Sequence, residues 1–159
     1  MRRSLRSLLF GFLFSAPLFA QSFTVGGDIP QPMTFTKADL AKMPRSSATW
    51  AEHGQPVNYE GVALYEILKK AGAPFDRPLS GKAIASYVLI DATDGYEVVF
   101  ALPEFDPAFT DHKILLADTA NGGPLPASQA PFRLIVPQDK KGARSIRMIQ
   151  KITLVRLRK

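Results

Sequence analysis

The chain has 159 residues, 46% of them hydrophobic and 21% charged, with a formal net charge of +6. This composition is typical of an ordinary soluble globule, and the length suits one domain better than two. Because there is no cysteine, disulfide bonds, thiolate metal ligands and a thiol nucleophile are excluded.

The first 22 residues have the pattern of a secretory signal peptide. Three arginines among the first six residues precede an apolar run over Leu8–Phe14, and small residues come after it. A membrane anchor is the alternative, but the apolar run is short and is interrupted at Pro17. We therefore expect a signal peptide at 1–22, a domain at 23–159, a periplasmic or secreted location, and no membrane span after cleavage.

Removal of this segment lowers the net charge from +6 to about +3, because it carries three arginines and no acidic residue. So small a surplus does not indicate a nucleic-acid partner. The opening "RRSLR" weakly resembles the twin-arginine signal of proteins exported in the folded state. The strongly apolar run favours the ordinary unfolded route instead.

The first half of the domain predicts short strands and two helices. "SFTVGG" and "PMTFT" are typical strands, and Thr36 is a candidate N-cap for the helix "KADLAKM", with Asp39 completing a capping box. A strand, a turn at His53-Gly54 and another extended segment should come next. In "VALYEILKKAG" apolar residues recur at helical spacing, and Gly72 is placed to end that helix.

The second half predicts mainly strands. Two β-rich runs flank Asp94-Gly95, which favours a hairpin. "PEFDPAF" is expected to be a short helical or irregular connection, and "KILLADT" and "FRLIVP" are expected strands, with a last strand over about Met148–Leu157. The chain is thus predicted to be one β-rich α+β domain with few short helices.

The segment "DKKGARSIR" at 139–147 is the strongest candidate for a binding site. It holds two lysines and two arginines around Gly142, with the hydroxyl of Ser145. Successive amides in a turn can form an anion-binding nest, and the planar fork of arginine suits phosphate oxygens. A solvated loop that keeps the chain soluble remains the alternative.

Other patterns for chemistry are weak. His53 and His112 have no short ligand spacing, so no metal site is predicted. No nucleophile elbow, P-loop or dinucleotide fingerprint is present, and no catalytic residue is assigned. Trp50, the only tryptophan, packs in the core by default, and ligand stacking is its alternative role.

Three segments in order resemble the oxidoreductase molybdopterin-binding domain of the sulfite oxidase family: "YEGVALYEILKKAGA", "DGYEVVFALPEFD" and "PLPASQAPFRLIVPQDKKGARSIRMIQKITLV". The resemblance covers about Phe35 to Leu157 and is close to small exported stand-alone relatives. Its most specific part is the strand Pro131–Pro137. The glycine, basic residue, serine, apolar residue and second basic residue that come after this strand in the family correspond to Gly142, Arg144, Ser145, Ile146 and Arg147.

The resemblance implies a β-rich sulfite oxidase-like fold and molybdopterin as a candidate cofactor. In catalytic members, the last segment helps to hold the phosphate and pterin parts of the cofactor. From the residues of this segment and the resemblance together, the candidate ligand-binding residues are Lys141, Gly142, Arg144, Ser145 and Arg147, with Trp50 and His53 added on the side where the family's thiolate loop would be.

One departure from the family bears on function. Catalytic members ligate molybdenum with a cysteine thiolate, and this chain has none. The first hypothesis is therefore an exported domain without molybdenum catalysis, which binds a small anionic ligand or an envelope protein in the former cofactor groove. The alternative is a molybdopterin-dependent oxidoreductase with unusual ligation or a partner subunit. A third class is an interaction protein that uses exposed sheet edges.

Overall fold

The computed structural model describes residues 21–157, which form ten strands, two α-helices and three short 3₁₀ helices. The strands are β1 Ser22–Gly27, β2 Met33–Thr36, β3 Arg45–Glu52, β4 Gln55–Ala63, β5 Tyr87–Ala92, β6 Glu97–Ala101, β7 Leu115–Ala120, β8 Gly123–Pro124, β9 Arg133–Ile135 and β10 Ile149–Val155. The α-helices are α1 Lys37–Leu40 and α2 Leu64–Lys70, and the 3₁₀ helices are Gly81–Ala83, Leu102–Glu104 and Gly142–Arg144. The predicted β-rich α+β class is confirmed.

The strands form two sheets. The first has the order β2-β1-β10-β5-β6, in which only the β1–β10 pair is parallel. The second has the order β3-β4-β7-β8, with β9 also paired to β7. The segment before β10 joins the sheets, because Ile146 accepts from the Leu134 amide at 2.7 Å and the Ile149 amide donates to Phe132 at 3.2 Å.

The larger of two buried apolar clusters among residues 21–157 draws side chains from both sheets. The ring of Phe23 in β1 meets that of Phe132, next to β9, edge to face at 5.0 Å between centroids. Helix α2 contributes Leu64, Ile67 and Leu68, all fully buried, which confirms the face that the helical spacing predicts. Each such side chain contributes about 1.5–3 kcal/mol by leaving water, so this core holds the sheets in a fixed relation.

The predicted capping box at α1 is present. The Asp39 amide donates to Thr36 Oγ1 at 3.2 Å, and the Thr36 amide donates to Asp39 Oδ2 at 2.9 Å. Hydrogen bonds from the Thr36 hydroxyl and amide lower the pKa of Asp39. The helix is shorter than predicted: it ends at Leu40, and single turns continue the chain to Met43.

The predicted turns also hold. His53 and Gly54 have φ angles of 49° and 78° at the tip of the β3–β4 hairpin, and Gly95 has a φ angle of 83° in the β5–β6 turn. Gly72 comes after α2 with a φ angle of 89°, as expected for a residue that ends a helix. The last strand is shorter than predicted at both ends, because Met148 has a left-handed φ angle of 55° and β10 stops at Val155.

The predicted signal peptide falls almost wholly on residues 1–20, outside the described residues. Between residues 21 and 157, no helix combines the length and apolar character that crossing a membrane requires. The signal peptide therefore stays a prediction.

Candidate functional site

A cleft of about 530 Å³ opens where three connections meet. These connections are the tip of the β3–β4 hairpin, the β5–β6 turn and the segment 140–147 that precedes β10. The cleft volume lies within the usual range for small-molecule sites. Side chains from distant parts of the chain therefore surround one space large enough for a ligand.

The structure brings five of the seven predicted site residues together in this cleft. The residues that line it are Gly142, Ser145, Arg147, Trp50 and His53. Lys141 and Arg144 do not line it, whereas Lys140, which is not among the predicted binding residues, does.

Gly142 begins the 3₁₀ helix beneath the ring of Trp50. A Cβ atom built on Gly142 lies 3.6 Å from Trp50 Cζ2, an ordinary van der Waals distance, and the φ angle of Gly142 is not in the left-handed region. Position 142 therefore requires neither the left-handed backbone nor the close backbone approach that glycine alone permits. The half-buried Trp50 forms one wall of the cleft and packs on the turn.

Ser145 connects this turn to Val136, the residue directly after β9. Its side chain is buried, its amide donates to Gly142 at 3.0 Å, and its Oγ accepts from the Val136 amide at 3.2 Å. Because Oγ acts as the acceptor in that bond, its hydroxyl proton stays available for donation into the cleft.

Arg144 has a different role from the predicted one. Its Nε and Nη2 donate to the two carboxylate oxygens of Asp139 at 2.8 and 2.7 Å, and its Nη1 donates to Glu104 at 2.9 Å. The guanidinium also lies over the Phe100 ring, 4.6 Å from the centroid. The two hydrogen bonds from Arg144 to Asp139, and the one to Glu104, raise the pKa of Arg144. This side chain anchors the loop against the first sheet.

Arg147 lies opposite Arg133 in an antiparallel β-bridge, and both line the cleft. Side chains at bridged positions share a face with their Cβ atoms about 4.5–5.5 Å apart, and like charges placed so are destabilising. Arg133 pairs with Glu52, whereas Arg147 is exposed and forms no ion pair with any residue from 21 to 157. The cleft floor thus holds two guanidinium groups, and the carboxylate of Glu52 is paired with the guanidinium of Arg133.

Four polar side chains form a network behind this floor. Arg133 donates to Glu52 and, at 2.7 Å, to the Tyr59 hydroxyl, which donates to Glu52 at 2.9 Å. Gln129 Nε2 donates to both Glu52 oxygens, at 3.0 and 3.1 Å. Partial burial favours a higher pKa for Glu52, but the hydrogen bonds from Arg133, Tyr59 and Gln129 outweigh it and leave that pKa lowered.

The same network changes the pKa of Tyr59. Burial and the hydrogen bond to Glu52 together raise the pKa of Tyr59 to about 12. Tyr59 therefore remains a neutral donor throughout the physiological pH range. The network holds Glu52 charged and Tyr59 neutral, so that Arg133 is compensated within the protein.

No local pattern in the sequence predicts the four site residues of this network, Arg133, Glu52, Tyr59 and Gln129. The available signal was an arginine inside the otherwise apolar strand run "FRLIVP", since a charge in a buried strand requires a partner. Its partner Glu52 lies 81 positions away, a separation that no local pattern reveals.

Comparison with known proteins agrees with this architecture. A crystal structure of the sulfane dehydrogenase SoxCD from Paracoccus pantotrophus superimposes with a TM-score of 0.65 at 20% sequence identity, over 84% of this chain and 38% of the matched chain. This likeness shows a shared fold, and the chain spans well under half of that protein. No curated protein matches the sequence.

The family model for the oxidoreductase molybdopterin binding domain matches residues 19–159, nearly all of the chain. The resemblance identified in the sequence is thereby confirmed. The chain belongs to the oxidoreductase molybdopterin-binding domain family.

Proposed function

We propose that this chain is an exported domain whose cleft binds an organic phosphate, either molybdopterin or a fragment of it, without molybdenum catalysis by its own residues. The observation that carries the proposal is Arg147, an exposed cation beside the already paired Arg133 at the cleft floor. An anion bound at Arg147 would supply the counter-charge that this side chain lacks among residues 21–157.

Three further groups support an anionic ligand. Lys140 is a second exposed cation on the lining, and the buried Ser145 can donate its hydroxyl proton. The one other carboxylate on the lining, Asp94, accepts from the Tyr96 amide at 3.1 Å within its own turn. The exposed cations Lys140 and Arg147 therefore outnumber Asp94, the one lining carboxylate that is not paired with Arg133.

Two aromatic side chains suit a flat ring. Trp50 forms one wall, and Tyr96 lines the cleft from the β5–β6 turn, where its hydroxyl donates to the Ala143 carbonyl at 3.1 Å. Aromatic faces stack on flat heterocycles, and indole and phenol rings lose little conformational freedom when they do so. A flat ring compound that carries a phosphate can therefore stack on Trp50 and Tyr96 and pair with Arg147 at the same time.

The residues present fit the phosphate end of molybdopterin and do not fit its metal. The chain has no cysteine, and among residues 21–157 no three His, Asp or Glu side chains are grouped to hold a metal ion. Molybdenum, where a family member binds it, supplies oxo-transfer chemistry. This chain offers no thiolate for that metal, so we assign its cleft a binding role.

Export is part of the proposal. It rests on the basic start and apolar run of residues 1–22. A periplasmic or secreted domain of this kind would act on small anionic ligands or on a protein of the cell envelope.

A second candidate function is an oxidoreductase that completes its site with another chain. It is favoured by one observation, that this chain corresponds to only 38% of the SoxCD chain that it matches. A partner subunit could then supply the metal ligand that this chain lacks.

Calorimetric titration with guanosine 5′-monophosphate, a fused ring with a phosphate, tests the binding proposal. Arg147→Gln should weaken binding at least tenfold, about 1.4 kcal/mol, since hydrogen bonds to charged groups contribute about 1.5–3 kcal/mol. The matched control is Lys141→Gln, because Lys141 lies in the same loop but does not line the cleft. Equal weakening by both substitutions would reject the assignment.

Elemental analysis of the protein isolated from its own host distinguishes the two functions. We expect molybdenum far below one atom per chain. Molybdenum at one atom per chain, with turnover of an oxo-transfer substrate, would establish the second function instead.

A further inference from the structure

A second cavity, of about 850 Å³, lies at the other end of β10 from the cleft. Arg147 precedes β10 and lines the cleft, whereas Arg156 comes after β10 and lines this cavity. At about 3.3 Å per residue, the seven residues of β10 separate the two sites by roughly 20 Å. The cavity is therefore independent of the proposed phosphate site.

Ser86 supplies an unpartnered hydroxyl to this cavity. The residue is 1% exposed, and its Oγ is buried without a hydrogen-bond partner. Its backbone is satisfied, since its amide donates to Ala83 at 3.1 Å and its carbonyl accepts from Leu102 at 2.8 Å. Buried hydroxyls almost always have a hydrogen-bond partner, and no protein group among residues 21–157 supplies one to Ser86 Oγ.

Two cations stand at the edge of the same cavity. Lys82 and Arg156 both line it and are exposed, and neither forms an ion pair through its side chain with any residue from 21 to 157. One carboxylate, Asp28, also lines the cavity, and it accepts from the backbone amide of Arg156 at 2.8 Å. The lining therefore carries two cationic side chains and one carboxylate, and its net charge favours an anion.

The wall between these groups is apolar and stiff. Pro30 and Pro74 both line it, and a proline ring fixes its own φ angle. A Cβ atom on Gly72 would lie 2.7 Å from Pro30 Cδ, which shows how closely the loop after α2 packs on this wall. Such a wall keeps its shape without a ligand.

We propose that this cavity binds a small organic carboxylate that carries a second oxygen, in the form of a hydroxyl or carbonyl group. The carboxylate pairs with Lys82 and Arg156, the second oxygen accepts the Ser86 hydroxyl proton, and the carbon skeleton rests on the two prolines. The hydroxyl selects for the second oxygen, because a ligand without it leaves Ser86 Oγ unpaired.

NMR titrations of the full chain with benzoate and with 2-, 3- and 4-hydroxybenzoate test this site. Amide shifts around Ser86 and Arg156 report occupancy. At least one hydroxybenzoate should bind severalfold more tightly than benzoate, and Ser86→Ala should abolish that preference while leaving benzoate binding unchanged. This variant removes an unpaired hydroxyl from a buried site, so it should fold.

Lys82→Gln should weaken all four ligands severalfold, and Lys151→Gln is the matched control, since Lys151 is exposed and lines neither cavity. Equal affinity for benzoate and every hydroxybenzoate would mean that water alone pairs with Ser86, and would overturn the proposal. A preference that persists in Ser86→Ala, or shifts confined to the cleft around Arg147, would overturn it as well.

Discussion

Arg147 and Arg133 face each other across an antiparallel β-bridge at the cleft floor, and only Arg133 has a carboxylate partner among residues 21–157. The sequence places both arginines in one segment of 15 residues but does not distinguish them. Their different surroundings separate a structural cation from one that is free to bind. Several properties of the protein should depend on this difference.

Arg147→Gln should stabilise the protein in dilute chloride buffer by about 0.5 kcal/mol, because it removes a like charge opposite Arg133. It should also reduce the stabilisation that phosphate gives at matched ionic strength. Calorimetric melting in chloride and in phosphate measures both effects. An equal rise in melting temperature with phosphate in the native protein and the variant would contradict the assignment of Arg147 as the anion donor.

Arg144→Ala should destabilise the protein by about 1 kcal/mol, because it removes a bidentate pair with Asp139 and a bond to Glu104 from a partly exposed site. The response to phosphate should be retained. Urea unfolding measures the change, with Lys141→Ala as the neighbouring control. Lost phosphate binding at unchanged stability would instead support the anion-donor role that the sequence predicts for Arg144.

Glu52→Gln should lower the free energy of unfolding by about 2 kcal/mol at neutral pH, because Arg133 then stays buried without its counter-charge. The pKa of Glu52 is lowered in the folded state from its usual value near 4.5. Its stabilising contribution is therefore complete above pH 4.5 and is lost as the pH falls through the folded pKa.

The stability difference between the native protein and Glu52→Gln should accordingly narrow in acid. Urea unfolding across the acidic range measures it, and Glu97→Gln, at an exposed position in β6, is the control. A difference that stays constant down to the lowest pH would show that Glu52 does not titrate in this way.

Deprotonation of Tyr59 should cause part of the protein's loss of stability at alkaline pH. Its pKa is raised from 10 to about 12, so the stability that it contributes is complete below pH 10 and is lost as the pH rises from 10 through 12. A difference of two pKa units between the folded and unfolded states corresponds to about 2.7 kcal/mol in the free energy of unfolding. Tyr59→Phe should remove one phenolate absorbance phase near pH 12 and flatten the loss of stability in this window. An unchanged absorbance titration would contradict the prediction.

Two glycines should respond oppositely to alanine. A Cβ atom on Gly61 would overlap the backbone carbonyl of Leu116 in the neighbouring strand, whereas on Gly142 it would only touch the Trp50 ring. Gly61→Ala should therefore destabilise the fold by at least 1–3 kcal/mol. Gly142→Ala should be neutral or stabilise it by about 0.4–1 kcal/mol. Thermal melting of both variants checks this contrast.

Local patterns predicted most of the secondary structure. The capping box at Thr36, the hairpin turns at His53-Gly54 and Asp94-Gly95 and the end of α2 at Gly72 all depend on residues within a few positions of one another. The start of the last strand differs from the prediction, because Met148 adopts a left-handed conformation that its residue type does not indicate. Sheet order was not predicted, since β1 pairs with β10 across more than a hundred residues.

The sequence by itself determined which chemistry is available: cations and a serine around 140–147, and no thiol anywhere. It also carried the family resemblance. Only the tertiary structure decided which cation is free, because Arg144 meets Glu104 and Arg133 meets Glu52 through folding that brings together residues 40 and 81 positions apart. Ion pairing depends on distance in space, and the spacing of charges along a chain does not contain that distance.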